Sequence, residues 1–137
     1  MTEQDTSRLR GHCHCKAVEF SIPAATDFSD AARCDCSFCR RRWAPNASVH
    51  IDALQVEKGQ DHLSHYSWNT GTAHHYFCKK CGIYTFHQRR NDPNYYGVNV
   101  TCFDHINMRD FANAEINDGI NHPSDQIGGE DSFGDEK

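Results

Sequence analysis

The eight cysteines of this 137-residue chain fall into close groups: Cys13-His14-Cys15, Cys34-Asp35-Cys36-Ser37-Phe38-Cys39 and Cys78-Lys79-Lys80-Cys81, with Cys102 standing apart. Thiols so near one another in sequence can converge on a single ion, which is the local geometry tetrahedral zinc requires. Disulfide pairing is the competing reading. The N-terminal segment MTEQDTSRLRGH contains no apolar stretch resembling a signal peptide, so the chain is expected to be cytoplasmic, where thiols stay reduced and available to metal.

Two pairs and one triplet allow few partitions. A structural zinc takes four protein ligands, and Cys13 and Cys15 with Cys78 and Cys81 complete such a set, closing a long loop and adding stability. The triplet Cys34, Cys36 and Cys39 then holds a second ion with three thiolates and leaves one coordination position for an outside ligand. Three thiolates make zinc a weaker Lewis acid than three histidines would, which argues against a metal-hydroxide hydrolase. The same site suits a sulfur ligand, since a thiol that coordinates zinc loses its proton near neutral pH. The alternative is a second closed site whose fourth ligand is Cys102, His12, His50, His74 or His75. The expectation is two zinc ions held by seven of the eight cysteines.

A metal staple is in keeping with the rest of the composition. A chain of this length buries only about two thirds of its unfolded surface, so its core is thin. Hydrophobic residues make up 37% of it against 24% charged, and the stock of Phe, Tyr, Val and Ile favours sheet over helix. Val18, Phe20 and Ile22 share one parity before Pro23, as do Val49 and Ile51. His62 to Trp68 and Thr72 to Phe77 flank the turn composition Asn69-Thr70-Gly71, predicting a hairpin that delivers Cys78. Cys78-Lys79-Lys80-Cys81-Gly82 reads as a zinc knuckle in which Gly82 takes a positive φ and turns amides toward sulfur. Ile83 to His87 leads away from the knuckle, Tyr95 to Phe103 predicts a further strand, and Asn107 to Ala112 a short helix. The expected organisation is a flexible stretch 1–9, one mainly β, antiparallel, zinc-stapled domain over 10–124 with little helix, and an acidic disordered tail over 125–137. That tail carries four of the five net negative charges. The nearly neutral body, with no long basic stripe or membrane segment, argues against nucleic acid and membrane as partners.

The motifs Gly11-His12-Cys13-His14-Cys15, Cys34-Asp35-Cys36-Ser37-Phe38-Cys39-Arg40 and Phe77-Cys78-Lys79-Lys80-Cys81-Gly82, in that order, resemble the glutathione-dependent formaldehyde-activating enzyme family, whose domain also occurs in centromere protein V. Asn69-Thr70-Gly71-Thr72-Ala73 and Tyr96-Gly97-Val98-Asn99-Val100 are similar to a bacterial branch of it. The resemblance spans about residues 10 to 124. It implies an antiparallel β fold related to methionine sulfoxide reductase B, structural zinc on Cys13, Cys15, Cys78 and Cys81, and reactive zinc on Cys34, Cys36 and Cys39. It further implies a carbon-sulfur lyase that interconverts glutathione plus formaldehyde with S-(hydroxymethyl)glutathione. The competing function is a non-catalytic zinc-stapled module that binds another protein. One departure from the resemblance is Trp43, where relatives are expected to carry a small residue, often glycine; its ring could narrow the open site or stack on a substrate.

Several residues near the motifs admit two readings. Arg40, Arg41 and Arg42 either bind glutathione carboxylates and balance an anionic metal centre, or form a solvated basic turn, and the second reading is preferred for each; Arg89 and Arg90 share the ambiguity. His74 and His75 alternate across a strand, so at most one faces the metal layer, and neither is assigned a catalytic role. His14 is expected at the surface. His122 reads as an ordered turn residue rather than a proton shuttle. Cys102, placed on a strand parity with Tyr96, Val98 and Val100, reads as a core cysteine rather than a fourth ligand.

Overall fold

A computed structural model of the chain describes residues 7–67, 73–89 and 92–119. In chain order its strands are β1 (Arg8–His12), β2 (Glu19–Pro23), β3 (Arg33–Cys34), β4 (Asn46–His50), β5 (Gln55–Lys58), β6 (Leu63–Tyr66), β7 (His74–Cys78), β8 (Tyr84–Gln88), β9 (Tyr95–Asn99) and β10 (Ile116–Asn117), with one single-turn helix, α1 (Cys39–Arg42). The fold is mainly β with little helix, as the composition predicts. Arg8 and Leu9, within the stretch expected to be flexible, already belong to β1. The expected Asn69-Thr70-Gly71 turn, Arg90, His122 and the acidic tail lie outside the described residues. No described helix is long and apolar enough to cross a membrane.

Strands β1-β2-β5 form one antiparallel sheet and β4-β9-β8-β7-β6 a second; β3 and β10 make a small parallel pair. The two larger sheets share a core. Val18, Phe20 and Ile22 are all fully buried, and the Phe20 ring meets Phe86 of β8 and Phe103 edge-on, each at 5.5 Å between centroids. Val49, Leu54, Val98 and Cys102 complete this cluster. Burial of side chains this large contributes about 1.5–3 kcal/mol each, which makes the Phe20 face the main non-metal element of stability.

Two strands end earlier than their patterns predict, both through a side chain that caps the next turn. β9 stops at Asn99, whose Oδ1 accepts a 3.0 Å hydrogen bond from the Thr101 amide and opens a 3-10 turn over Val100–Cys102. His50 does the same after β4, its Nδ1 accepting from the Asp52 amide at 3.1 Å, so Ile51 leaves the strand. Such local side-chain bonds compete with the sheet ladder for backbone donors. The helix expected at 107–112 is a 3-10 turn over Met108–Phe111, capped by Asn107.

The end of β9 removes the parity argument for Cys102, yet the residue is buried. Its Sγ lies in the Phe20 core and donates to the Tyr84 carbonyl oxygen at 3.5 Å. Cys102→Ala is expected to cost about 1 kcal/mol in chemical denaturation, the scale of a small buried deletion, and to leave metal content unchanged. Loss of one bound ion in that variant would make Cys102 a ligand instead.

Candidate metal centres

The first cluster is built by two tight turns at strand ends. After β1, the Cys13 carbonyl accepts from the Lys16 amide at 3.3 Å, with Lys16 left-handed at φ 67°, so Cys13 and Cys15 turn to one side and His14 projects into solvent. After β7, the Gly82 amide donates to the Cys78 carbonyl at 2.8 Å, and Gly82 holds the expected positive φ of 81°. The amides of Lys80 and Cys81 point at Cys78 Sγ, at 3.3 and 3.5 Å. The four Sγ atoms lie within 4.8 Å of one another. Cys13 to Cys15 and Cys15 to Cys78 are each 3.7 Å. A tetrahedron of sulfurs around zinc at about 2.3 Å has an edge of roughly 3.8 Å, so this donor set fits a tetrahedral divalent ion. It does not fit a disulfide, and all eight cysteines are free thiols.

The second cluster forms where β3 runs into α1. Cys34 closes β3, Cys39 opens α1, and the Cys39 amide donates to Cys36 Sγ at 3.2 Å. The chain after β10 backs the cluster, the Gly119 amide bonding Asp35 Oδ1 at 2.8 Å. The Sγ atoms of Cys34, Cys36 and Cys39 lie within 4.8 Å of one another, and the group as defined by that spacing contains no fourth described residue. Of the other candidate ligands, His12 meets Asp104, His50 meets Asp52, His74 meets His65 and Cys102 lies in the Phe20 core. His75, in contrast, packs on Phe38 beside the cluster, its Nδ1 buried and unpartnered among the described residues, though outside the 4.8 Å group. Hydrogen bonds from Cys34 and Cys39 pull the Cys36 thiol well below the ordinary thiol range, while the contact with Cys36 holds Cys34 above it and contacts with Cys34 and Cys36 hold Cys39 above it. Three sulfurs converging in this way form a donor set able to receive a cation, whose charge favours their thiolate forms.

A polar and aromatic layer from the five-stranded sheet faces this cluster. Phe38 packs on His75 at 4.5 Å and on Tyr66 at 5.3 Å between ring centroids. His75 and His87 are cross-strand partners of β7 and β8 with rings stacked at 5.0 Å. The Tyr84 hydroxyl lies 2.6 Å from both Asn46 Oδ1 and His87 Nδ1. Arg42 completes the layer: its guanidinium sits 3.5 Å from the Tyr84 ring centroid and 4.6 Å from that of Phe38. The solvated-turn reading thus suits exposed Arg40, and Arg41 is held by the Ser37 carbonyl. It does not suit Arg42.

His75 is the one of its pair that faces this layer, and His87 joins it from β8 with no motif of its own to mark it. The knuckle supplied the missing signal, because a hairpin turning at Cys78–Gly82 sets His75 opposite His87. Trp43 ends α1 in the left-handed region at φ 51°, a conformation that glycine adopts without strain. Its ring is 40% exposed and lies against Arg33 at 5.4 Å.

Burial, reinforced by the charge of Arg42, pushes His75 down to about 3 and His87 well below the usual imidazole range. The folded chain therefore keeps His75 neutral where an unfolded chain, titrating near 6.5, takes up a proton. Its contribution is complete above pH 6.5 and is lost as pH falls toward 3, by up to about 1.4 kcal/mol per pH unit. Denaturation of wild type and His75→Phe at a series of pH values is expected to show the wild type losing ground progressively below pH 6.5. A constant gap would mean that His75 takes up its proton in the fold as readily as in the unfolded chain.

Two sets of converging thiols on an antiparallel scaffold define a cysteine-rich β protein able to hold metal ions at two places. The chain belongs to the glutathione-dependent formaldehyde-activating enzyme family, whose pattern it matches over residues 8–117. It is 36% identical over 84 residues to a Halomonas elongata protein named "Putative glutathione-dependent formaldehyde-activating enzyme", a match covering 53% of this chain and 51% of that one. The chain thus spans about half the length of that curated relative. A crystal structure of a Rhodobacter sphaeroides protein is 47% identical and superposes with a TM-score of 0.76, covering 80% of this chain and 100% of that chain.

Proposed function

We propose that the chain is a cytoplasmic zinc protein with two ions, one structural on Cys13, Cys15, Cys78 and Cys81 and one reactive on Cys34, Cys36 and Cys39. Its proposed activity is that of a carbon-sulfur lyase acting on thiol-aldehyde adducts, most simply glutathione plus formaldehyde and S-(hydroxymethyl)glutathione. The observation that carries the reading is the convergence of three thiols without a fourth described ligand, in a member of this family. When bound there, zinc supplies thiol activation, lowering the pKa of an entering sulfur until it is a thiolate near neutral pH.

The chain's own residues do the rest. Cys34, Cys36 and Cys39 fix where the entering thiol arrives, and Phe38, in the same loop, sets apolar surface beside them, packed on Tyr66 and His75. His75 and His87 stay neutral there, adding polarity without charge. In the forward direction the thiol sulfur bonds to the aldehyde carbon. The carbonyl π pair moves to oxygen, which takes up the proton the thiol gave up. The reverse breaks the carbon-sulfur bond and returns that proton to sulfur.

Two measurements test the reading. Native mass spectrometry is expected to show two zinc ions per chain, removed stepwise by chelator, with the three-cysteine site emptied first. Adding glutathione to the cobalt-substituted protein is expected to change its absorption, since a new sulfur ligand alters the metal's spectrum. A spectrum indifferent to glutathione would favour the non-catalytic binding module, and a single tightly held ion would remove the second site.

A further inference from the structure

Among the described residues, Arg42 brings a guanidinium to the edge of the three-cysteine cluster. Its Nη2 lies 3.6 Å from Cys39 Sγ and 3.5 Å from His87 Nδ1, and its guanidinium plane rests on Tyr84 and against Phe38. The ion pairs among the described residues involve His12 with Asp104 and His50 with Asp52, so none of them gives Arg42 a carboxylate partner. A half-buried guanidinium held over two aromatic rings is ordered at some cost, and here the acceptor it approaches is the Cys39 sulfur, which becomes an anion when it binds a metal ion. Three thiolates around a divalent ion leave one net negative charge, and an entering thiolate adds another.

We propose that Arg42 is the positioning cation of the second site: it fixes Cys39 and offsets the negative charge that the three thiolates and an entering anionic thiol bring together. This inference rests on the reading of Cys34, Cys36 and Cys39 as metal ligands. Arg42 acts through Cys39 and through the field at the site, not by touching the reacting atoms. His87 Nδ1, 3.5 Å from Nη2, and the Tyr84 ring flank the guanidinium and hold it in place. Lysine would keep the charge but lose the planar stack and the fork of donors.

The test compares wild type, Arg42→Gln, Arg42→Lys and the control Arg40→Gln, which makes the same charge change at an exposed neighbour. Each is loaded with cobalt and titrated with a chelator, so that release from the two sites is read separately. In Arg42→Gln the second site is expected to bind cobalt about 10- to 100-fold more weakly, the usual effect of losing a group that orients a ligand. Arg42→Lys should fall between it and wild type, Arg40→Gln should match wild type, and the four-cysteine site should be unchanged in all three. Second-site affinity unchanged in Arg42→Gln, or weakened equally in Arg40→Gln, would overturn the proposal. Should Arg42→Gln fail to fold, Arg42→Lys decides, since wild-type affinity there would overturn the proposal and a selective second-site loss would support it. A wild-type spectrum indifferent to glutathione would sink the proposed activity, whereas the chelator titration still judges Arg42.

Discussion

Cys78→Ser is expected to lower the melting temperature by more than about 10 °C, or to abolish cooperative folding, while Cys36→Ser leaves most of the fold intact. The asymmetry follows from what each cluster joins. Cys15 and Cys78 are 63 residues apart, and the four-cysteine cluster ties the end of β1 to the end of β7. A structural zinc site contributes its binding free energy to folding, about 10–16 kcal/mol in small zinc peptides, against a typical net stability of about 5–15 kcal/mol. Losing even several kcal/mol therefore matters, at roughly 2–8 °C each for domains of this general size. Cys78 is also fully buried beside Cys13 and Val18, so serine leaves a hydroxyl in an apolar pocket. The three-cysteine cluster, in contrast, closes a loop from Cys34 to Cys39 that is already short, and adds little constraint to the unfolded chain. Thermal melts of the two variants check this directly. Equal collapse would mean that both sites are structural.

Gly119→Ala is expected to empty the second site selectively, reducing the metal content from two ions to one while the first site persists. A Cβ at Gly119 would sit 2.4 Å from Cys34 Sγ, 2.7 Å from Cys36 Cβ and 2.8 Å from the Cys36 backbone nitrogen. No side-chain rotation relieves the last two, because one is a backbone atom and the other is fixed to it. The chain after β10 must move away or the cysteine loop must shift, and either change spoils a donor set that needs convergence within a few tenths of an ångström. The cost to stability should stay near the about 1–3 kcal/mol of an overpacked contact, since the clash falls beside a two-residue strand pair rather than within either large sheet. Native mass spectrometry and a chemical denaturation curve separate the two effects. Two ions retained with unchanged resistance to chelator would show that Gly119 does not support the site.

The cysteine spacings in the sequence were enough to group the thiols as the structure groups them, because short-range ligand motifs are set by local turns such as the one Gly82 completes. The β class and the buried Val18, Phe20 and Ile22 face were legible for the same reason: alternation expresses a two-residue period that the strand itself imposes. The ends of β4 and β9 were less legible, since His50 and Asn99 cap their following turns through hydrogen bonds that hydrophobic periodicity does not register. What surrounds the three-cysteine cluster depended on tertiary structure. Arg42, His75, His87 and Tyr84 come from α1, β7 and β8, and Arg42 is distinguished from Arg40 and Arg41 only by the face of one helical turn that meets the sheet. Gly119 is 85 residues beyond Cys34 in the chain, and only the β3–β10 pairing brings it against that sulfur. Each pair or triplet of thiols is specified by neighbours in sequence, whereas the meeting of Cys13 and Cys15 with Cys78 and Cys81, and the charge and packing around both clusters, are specified by neighbours in space, which exist only once the sheets have formed.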